Sequence, residues 1–269
     1  MYDEYTAHLN NMASHASNTA DLAKLCQRMY IADCICLEGL DLTLAREALN
    51  AVCQVLMKYP ALRREMHYFG TLAGFRKHKD RLFAFLYPDA DEKARTDMKS
   101  LTDQTANETA SVFKNGGLAL AYFSGVSDYR FCGIILDEED FDEQKILKDL
   151  EYSESCGFSP RGCKSVKSVV DHELGHLLDY WVGISASDEF LSFSRALNPF
   201  EVSASLSKYS VMGGRIAPAE VIAEGFSESR NNQAPRRLAR EIAQIIENGY
   251  ARNIKEVELK NKIDNMLWE

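Results

Sequence analysis

The stretch that most constrains this chain is VVDHELGHLLDYW, residues 169 to 181. Apolar residues surround the polar ones at helical spacing, which predicts a helix running through a core. Residues four apart lie one turn apart on the same helix face. His172 and His176 can therefore aim two imidazoles at one point, and Glu173 flanks the same face. The plain alternative is three polar side chains facing solvent, but Val169, Val170, Leu174, Leu177, Leu178 and Trp181 argue against it. Buried imidazoles and a buried carboxylate without partners are costly. An ion held at about 2.0–2.1 Å from each imidazole removes that cost, and zinc is the ion expected for this pattern. Gly175, in mid-helix, costs about 1 kcal/mol relative to alanine. Its presence implies close approach by another element.

A catalytic zinc needs a third protein ligand and an open position. A three-histidine site of the H-E-x-x-H-x-x-G-x-x-H type is excluded, because Asp179 and Val182 stand where the glycine and third histidine would be. No histidine follows His176, so a carboxylate is the expected third ligand. The segment APAEVIAEGFSESR, residues 217 to 230, supplies candidates. Glu220, Glu224 and Glu228 share one helical ridge, and Val221, Ile222 and Phe226 provide apolar contacts. Favourable interaction with the helix dipole explains an acid in the first turn, which covers Glu220 alone.

The remaining chain is that of an ordinary globular protein. Its 269 residues are 46% hydrophobic, enough to bury a full core. The formal net charge of −9 gives no overall pull toward nucleic acid or an anionic membrane, so neither is expected as a partner. The basic clusters Arg63-Arg64, Arg76 to Lys79 and Arg236-Arg237 read as solvated faces. The seven cysteines include no C-x-x-C pair, so free thiols and a cytoplasmic location are expected. Cys156 and Cys163 flank a Gly/Pro loop and could bridge only in an exported protein. The N-terminus has no apolar signal region, and no run is long enough to span a bilayer.

Periodicity predicts an α+β fold with a small sheet early and helices late. Residues 1–40 read as an N-terminal helical extension with Leu22, Cys26, Met29 and Tyr30 on one face, followed by one compact unit over 41–269. A helix is expected from Asp41 to Tyr59, a strand over 67–75, and a polar-faced helix over 91–113 that Gly116-Gly117 ends. Residues 118–123 and 132–138 suggest a hairpin with a turn over 124–130. A helix over 143–152 and a loop over 156–165 follow, with Ser165 capping the histidine helix. Residues 182–208 are mixed and Ser-rich. Pro218 opens a helix at its first-turn position. Residues 235–268 read as two helices separated near Gly249.

At HELGHLLDYWVG and AEVIAEGF, the second lying 44 residues after His176, the chain resembles the gluzincin metalloproteases related to the catalytic domain of anthrax lethal factor. Similar domains occur in toxins and in phage or mobile-element proteins. The stretch from CGIILDE to CGFSPRG is similar to that family's approach to the zinc helix, and the likeness covers about residues 110 to 230. The resemblance implies a zincin-like fold with one Zn2+ on His172, His176 and Glu220, and Glu173 as general base. It implies that Glu224 orients a ligand histidine and that Tyr209 hydrogen-bonds the developing oxyanion. The connector from Tyr209 to Glu220 departs from the family pattern by extra residues around Gly213-Gly214. Asp179 is a candidate supporting residue or a capping acid.

The implied activity is zinc-dependent hydrolysis of peptide bonds in a protein or peptide substrate, with Ile134 to Leu136 as a strand that could pair with it. Two alternatives stand. One is a repressor-cleaving regulatory metallopeptidase, which places its third acid closer in sequence. The other is a non-catalytic zinc-binding structural or interaction protein of a phage or mobile element.

Overall fold

The computed structural model describes residues 15–140 and 143–267, without the side chains of 143, 144 and 256–267. The N-terminal part of the expected extension, residues 1–14, lies outside the described residues. In chain order the elements are α1 (Thr19–Arg28), β1 (Cys34–Cys36), α2 (Leu42–Lys58), a 3-10 turn (Pro60–Glu65) and β2 (Tyr68–Thr71). Next come α3 (Leu72–Leu86), α4 (Glu92–Lys114), β3 (Ala119–Val126), β4 (Tyr129–Leu136) and α5 (Glu143–Ser155). The chain continues with α6 (Val166–Val182), α7 (Asp188–Arg195), α8 (Pro199–Ser205), β5 (Val211–Met212), β6 (Arg215–Ile216), α9 (Pro218–Asn231) and α10 (Arg237–Leu267). The class is mixed α+β, as the periodicity predicts.

The main sheet has the order β1-β2-β4-β3, with β1, β2 and β4 parallel and β3 antiparallel to β4. Successive residues of a strand face opposite sides, and here the two faces enter two cores. Phe69, Ile134 and Leu136 join the core built with α1, α2, α6, α9 and α10. Tyr68, Phe131 and Ile135 join an aromatic-rich core against α3 and α4. Leu22, Cys26 and Ile35, from the stretch expected as an extension, belong to the first core, and β1 pairs with β2. Among the described residues no helix is long and apolar enough to cross a membrane.

Several expectations are corrected. The strand over 67–75 stops at Thr71, because Glu138 accepts hydrogen bonds from the N–H groups of Leu72 (2.9 Å) and Ala73 (3.0 Å) and so caps α3 from across the fold. Tyr30 leaves the α1 face, being 76% exposed with φ of 56°. The hairpin turn is only Ser127-Asp128, so β4 begins at Tyr129. Ile134 to Leu136 cannot receive a substrate strand, since β2 pairs with it on one side and β3 on the other. The edge strand on that side is β3. Residues 182–208 fold into α7 and α8, capped by Ser187 and Asn198.

The break near Gly249 does not occur, and α10 runs through it. The glycine serves packing instead: a Cβ there would stand 3.0 Å from Val182 at the end of α6. Two of the basic clusters are not merely solvated. Lys79 is buried between Asp80 and Asp103, at 2.6 Å from each, and Arg236 forms an ion pair with the fully buried Glu228 at 2.7 Å.

Candidate metal centre

The histidine helix α6 is defined by its own ends. Ser165 accepts from Ser168 N–H at 3.2 Å and Ser168 Oγ accepts from Ser165 N–H at 3.1 Å, a reciprocal cap. Gly183, in the left-handed region, ends the helix. The helix α9 packs directly across it. A Cβ on Gly175 would stand 2.8 Å from Ala223 Cα, so the missing side chain lets the two backbones meet. Ser227 Oγ donates to Ser168 O at 2.8 Å, and the buried Asp171 accepts from Arg230 and Asn231 of α9, both at 2.9 Å.

This crossing carries Glu220, in the first turn of α9, to the two histidines. Its Oε2 lies 3.4 Å from His172 Nε2 and 3.5 Å from His176 Nε2, and the two Nε2 atoms are 3.1 Å apart. Two ligands at about 2.0–2.1 Å from one tetrahedral ion stand about 3.3 Å apart. The three donor atoms therefore already form one face of a coordination tetrahedron. They form a cluster that can bind a metal ion. Glu220 Oε2 is buried and has no hydrogen-bond partner among the described residues, as fits an atom whose partner is a cation.

The electrostatics agree. Burial raises the Glu220 carboxyl, but the two imidazoles outweigh it and hold the pKa at about 2. Burial lowers His172, yet Glu220 and Glu224 reverse this and raise it well above its ordinary value. Glu224 Oε1 lies 3.0 Å from His172 Nδ1, on the ring atom that the cluster leaves free. Glu228, the last acid of the ridge, does not join the site. It accepts from the backbone and side chain of Arg236 and closes the turn from α9 to α10.

Glu173 is not one of the three donors. Its Oε2 accepts a hydrogen bond from Ala121 N–H on the edge strand β3 at 2.6 Å. Tyr209 reaches the centre, with its ring 5.9 Å from that of His172 and 5.2 Å from that of Phe158. The Tyr209 segment is tied to the loop after α5, because Lys208 N–H donates to Gly157 O (2.9 Å) and Tyr209 N–H to Phe158 O (3.3 Å). Burial and the neighbouring Glu220, Glu173 and Glu224 raise the Tyr209 hydroxyl, so it stays protonated. Asp179 is buried and accepts from Ser185 N–H at 2.6 Å, which holds the turn after α6. Burial raises its carboxyl.

The cluster opens on a cleft of about 1180 Å³ that runs along α6, from Val169 past Glu173 and His176 to Tyr180, with β3 opposite. Leu118, Leu150, Phe158 and Pro160 line it toward the start of α6. Toward its end Phe123 of β3 stacks on Tyr180 at 3.8 Å between ring centres. Cys163 in the wall is a free thiol, as is the exposed Cys156, and no bridge joins them. Sequence patterns missed Ala121, Phe158 and the Phe123–Tyr180 stack. A backbone N–H leaves no side-chain signature, whereas Tyr180, four residues after His176, is a visible signal for the end of the cleft where it stacks on Phe123. No protein family, curated protein or solved structure matches the chain.

Proposed function

We propose that the chain is a zinc-dependent endopeptidase on a zincin-type scaffold akin to the lethal-factor-related gluzincins. One observation carries the reading. Three donor atoms at coordination spacing face an open cleft, and a further acid, Glu173, stands beside them without joining them. A structural metal site closes its fourth position and needs no such acid, which disfavours the binding-module alternative. The third donor comes from Glu220, far along the chain, which disfavours the repressor-cleaving type. The cleft extends along α6 from Val169 to Tyr180 with β3 opposite, a groove in which an extended polypeptide can lie. Apart from Ala121, whose outward N–H is held by Glu173, the edge strand β3 offers such a segment backbone groups to pair with.

A zinc ion held by His172, His176 and Glu220 would supply Lewis acidity, lowering the pKa of bound water and polarising a carbonyl. The chain's own residues do the rest. Glu173 accepts the proton of the attacking water and returns it to the departing amine. Tyr209, kept protonated by its surroundings, donates to the developing oxyanion. Glu224 holds the His172 ring through Nδ1.

The test is metal analysis together with cleavage of a mixed peptide library by the wild type and by Glu173→Gln. Zinc should be retained in both, with kcat in the variant lower by about 10²- to 10⁴-fold. Equal, negligible turnover by both metal-loaded proteins would rule the enzyme out.

A further inference from the structure

Glu173 and Ala121 belong to different layers of the fold. Glu173 sits on α6 and Ala121 on the edge strand β3, yet Glu173 Oε2 accepts the Ala121 N–H at 2.6 Å. In an antiparallel pair, alternate residues turn their N–H and C=O groups away from the partner strand. Ala121 is opposite Ile134 in the β3–β4 ladder, and its N–H goes to Glu173 instead of to β4. This donor is therefore an outward-facing group on the free edge, and α6 has brought a carboxylate to it. Glu173 is 7% exposed, and among the described residues its Oε2 has a hydrogen-bond partner and its Oε1 has none. The other oxygen, Oε1, is not among the buried atoms left without a partner. It remains for the cleft that Glu173 lines.

We propose that the backbone N–H of Ala121 is the positioning group for the general base. It pins one carboxylate oxygen of Glu173 and presents the other to the reacting water. The inference rests on the peptidase reading. A glutamate on a helix has three rotatable bonds, and a charge-assisted hydrogen bond to a strand amide removes most of that freedom. The strand is held by β4 along its length, so the pin is as rigid as the sheet. The side chain at residue 121 contributes nothing to this, and only its amide does.

Two measurements test it. Ala121→Pro deletes the N–H without removing a ladder bond, and an edge strand tolerates proline at an outward-facing N–H. The variant should keep its metal and cooperative unfolding, and lose about a hundredfold in kcat with KM within about threefold of wild type. Amide hydrogen exchange supplies a readout free of turnover. The Ala121 N–H should be protected in the wild type and in Glu173→Gln, which keeps an acceptor oxygen, and should exchange rapidly in Glu173→Ala. Folded, metal-loaded Ala121→Pro with wild-type kcat overturns the inference, as does an Ala121 amide equally exposed in all three proteins. If the metal-loaded wild type cleaves no peptide, the peptidase reading itself fails and this inference falls with it. An active wild type with an indifferent proline variant sinks the positioning role alone.

Discussion

The Nδ1 of His172 lies 3.0 Å from Oε1 of Glu224, so the ring is gripped on one edge by the same helix that brings Glu220 to the other. Both acids sit on α9, one turn apart, and both oppose the burial of the ring. A carboxylate behind a ligand histidine fixes its tautomer and orientation, and losing it costs 10–100-fold in metal affinity. Glu224→Ala should therefore weaken zinc binding by about that factor in a competition titration with a chromogenic chelator. Unchanged affinity would mean that the ring is held by packing alone.

Gly175→Ala should destabilise the protein despite alanine's better helix propensity of about 1 kcal/mol. The added Cβ would stand 2.8 Å from Ala223 Cα, where only backbone can give way. Overpacking of this kind costs about 1–3 kcal/mol, and separating α6 from α9 also draws Glu220 away from the imidazoles. A lower Tm and weaker metal binding should appear together. A rise in Tm would show that the helices do not need this contact.

Asp171 is fully buried and joins Lys167 on its own helix to Arg230 and Asn231 on α9. Removing one member of a buried ion pair costs about 3–5 kcal/mol, because the remaining charge keeps its desolvation without its partner. Asp171→Ala should lose stability on that scale in denaturant titration. A loss under about 1 kcal/mol would show that water takes over the carboxylate's place.

In the metal-free chain, Glu220 and His172 are shifted in opposite directions by burial and by their pairing, with His176, Glu173 and Glu224 facing the same space. Glu220 is depressed from 4.5 to about 2, so its contribution to stability is present above 4.5 and is lost as pH falls through about 2. His172 is raised from 6.5, so its contribution is complete below 6.5 and is lost as pH rises through the folded value. The metal-free protein should therefore gain most from this cluster between 4.5 and 6.5. A metal ligand must be an unprotonated imidazole, so zinc binding near neutral pH should release a proton and tighten as pH rises. Calorimetry in buffers of different ionisation enthalpy measures that release. Its absence would show that His172 is already neutral.

The local half of this protein was legible in its residues. The i, i+4 spacing of His172 and His176, the Ser165 cap, the first-turn Pro218 and the close approach at Gly175 are decided within a few residues or by one missing side chain. The start of α2 follows from its Asp41 cap in the same way. Local preferences carry no further than a helical turn or a hairpin, because they reflect steric and hydrogen-bond choices of neighbouring residues. Which strand lies at the sheet edge is a matter of long-range pairing, and only the fold makes it β3 rather than Ile134 to Leu136 of β4. Only packing runs α10 unbroken through Gly249, since its bare Cα fits beside Val182. The convergence of Glu220 on two imidazoles, and of Glu173 on the Ala121 amide, depends on how layers dock. Docking is settled by burying apolar faces and satisfying polar groups between elements remote in sequence.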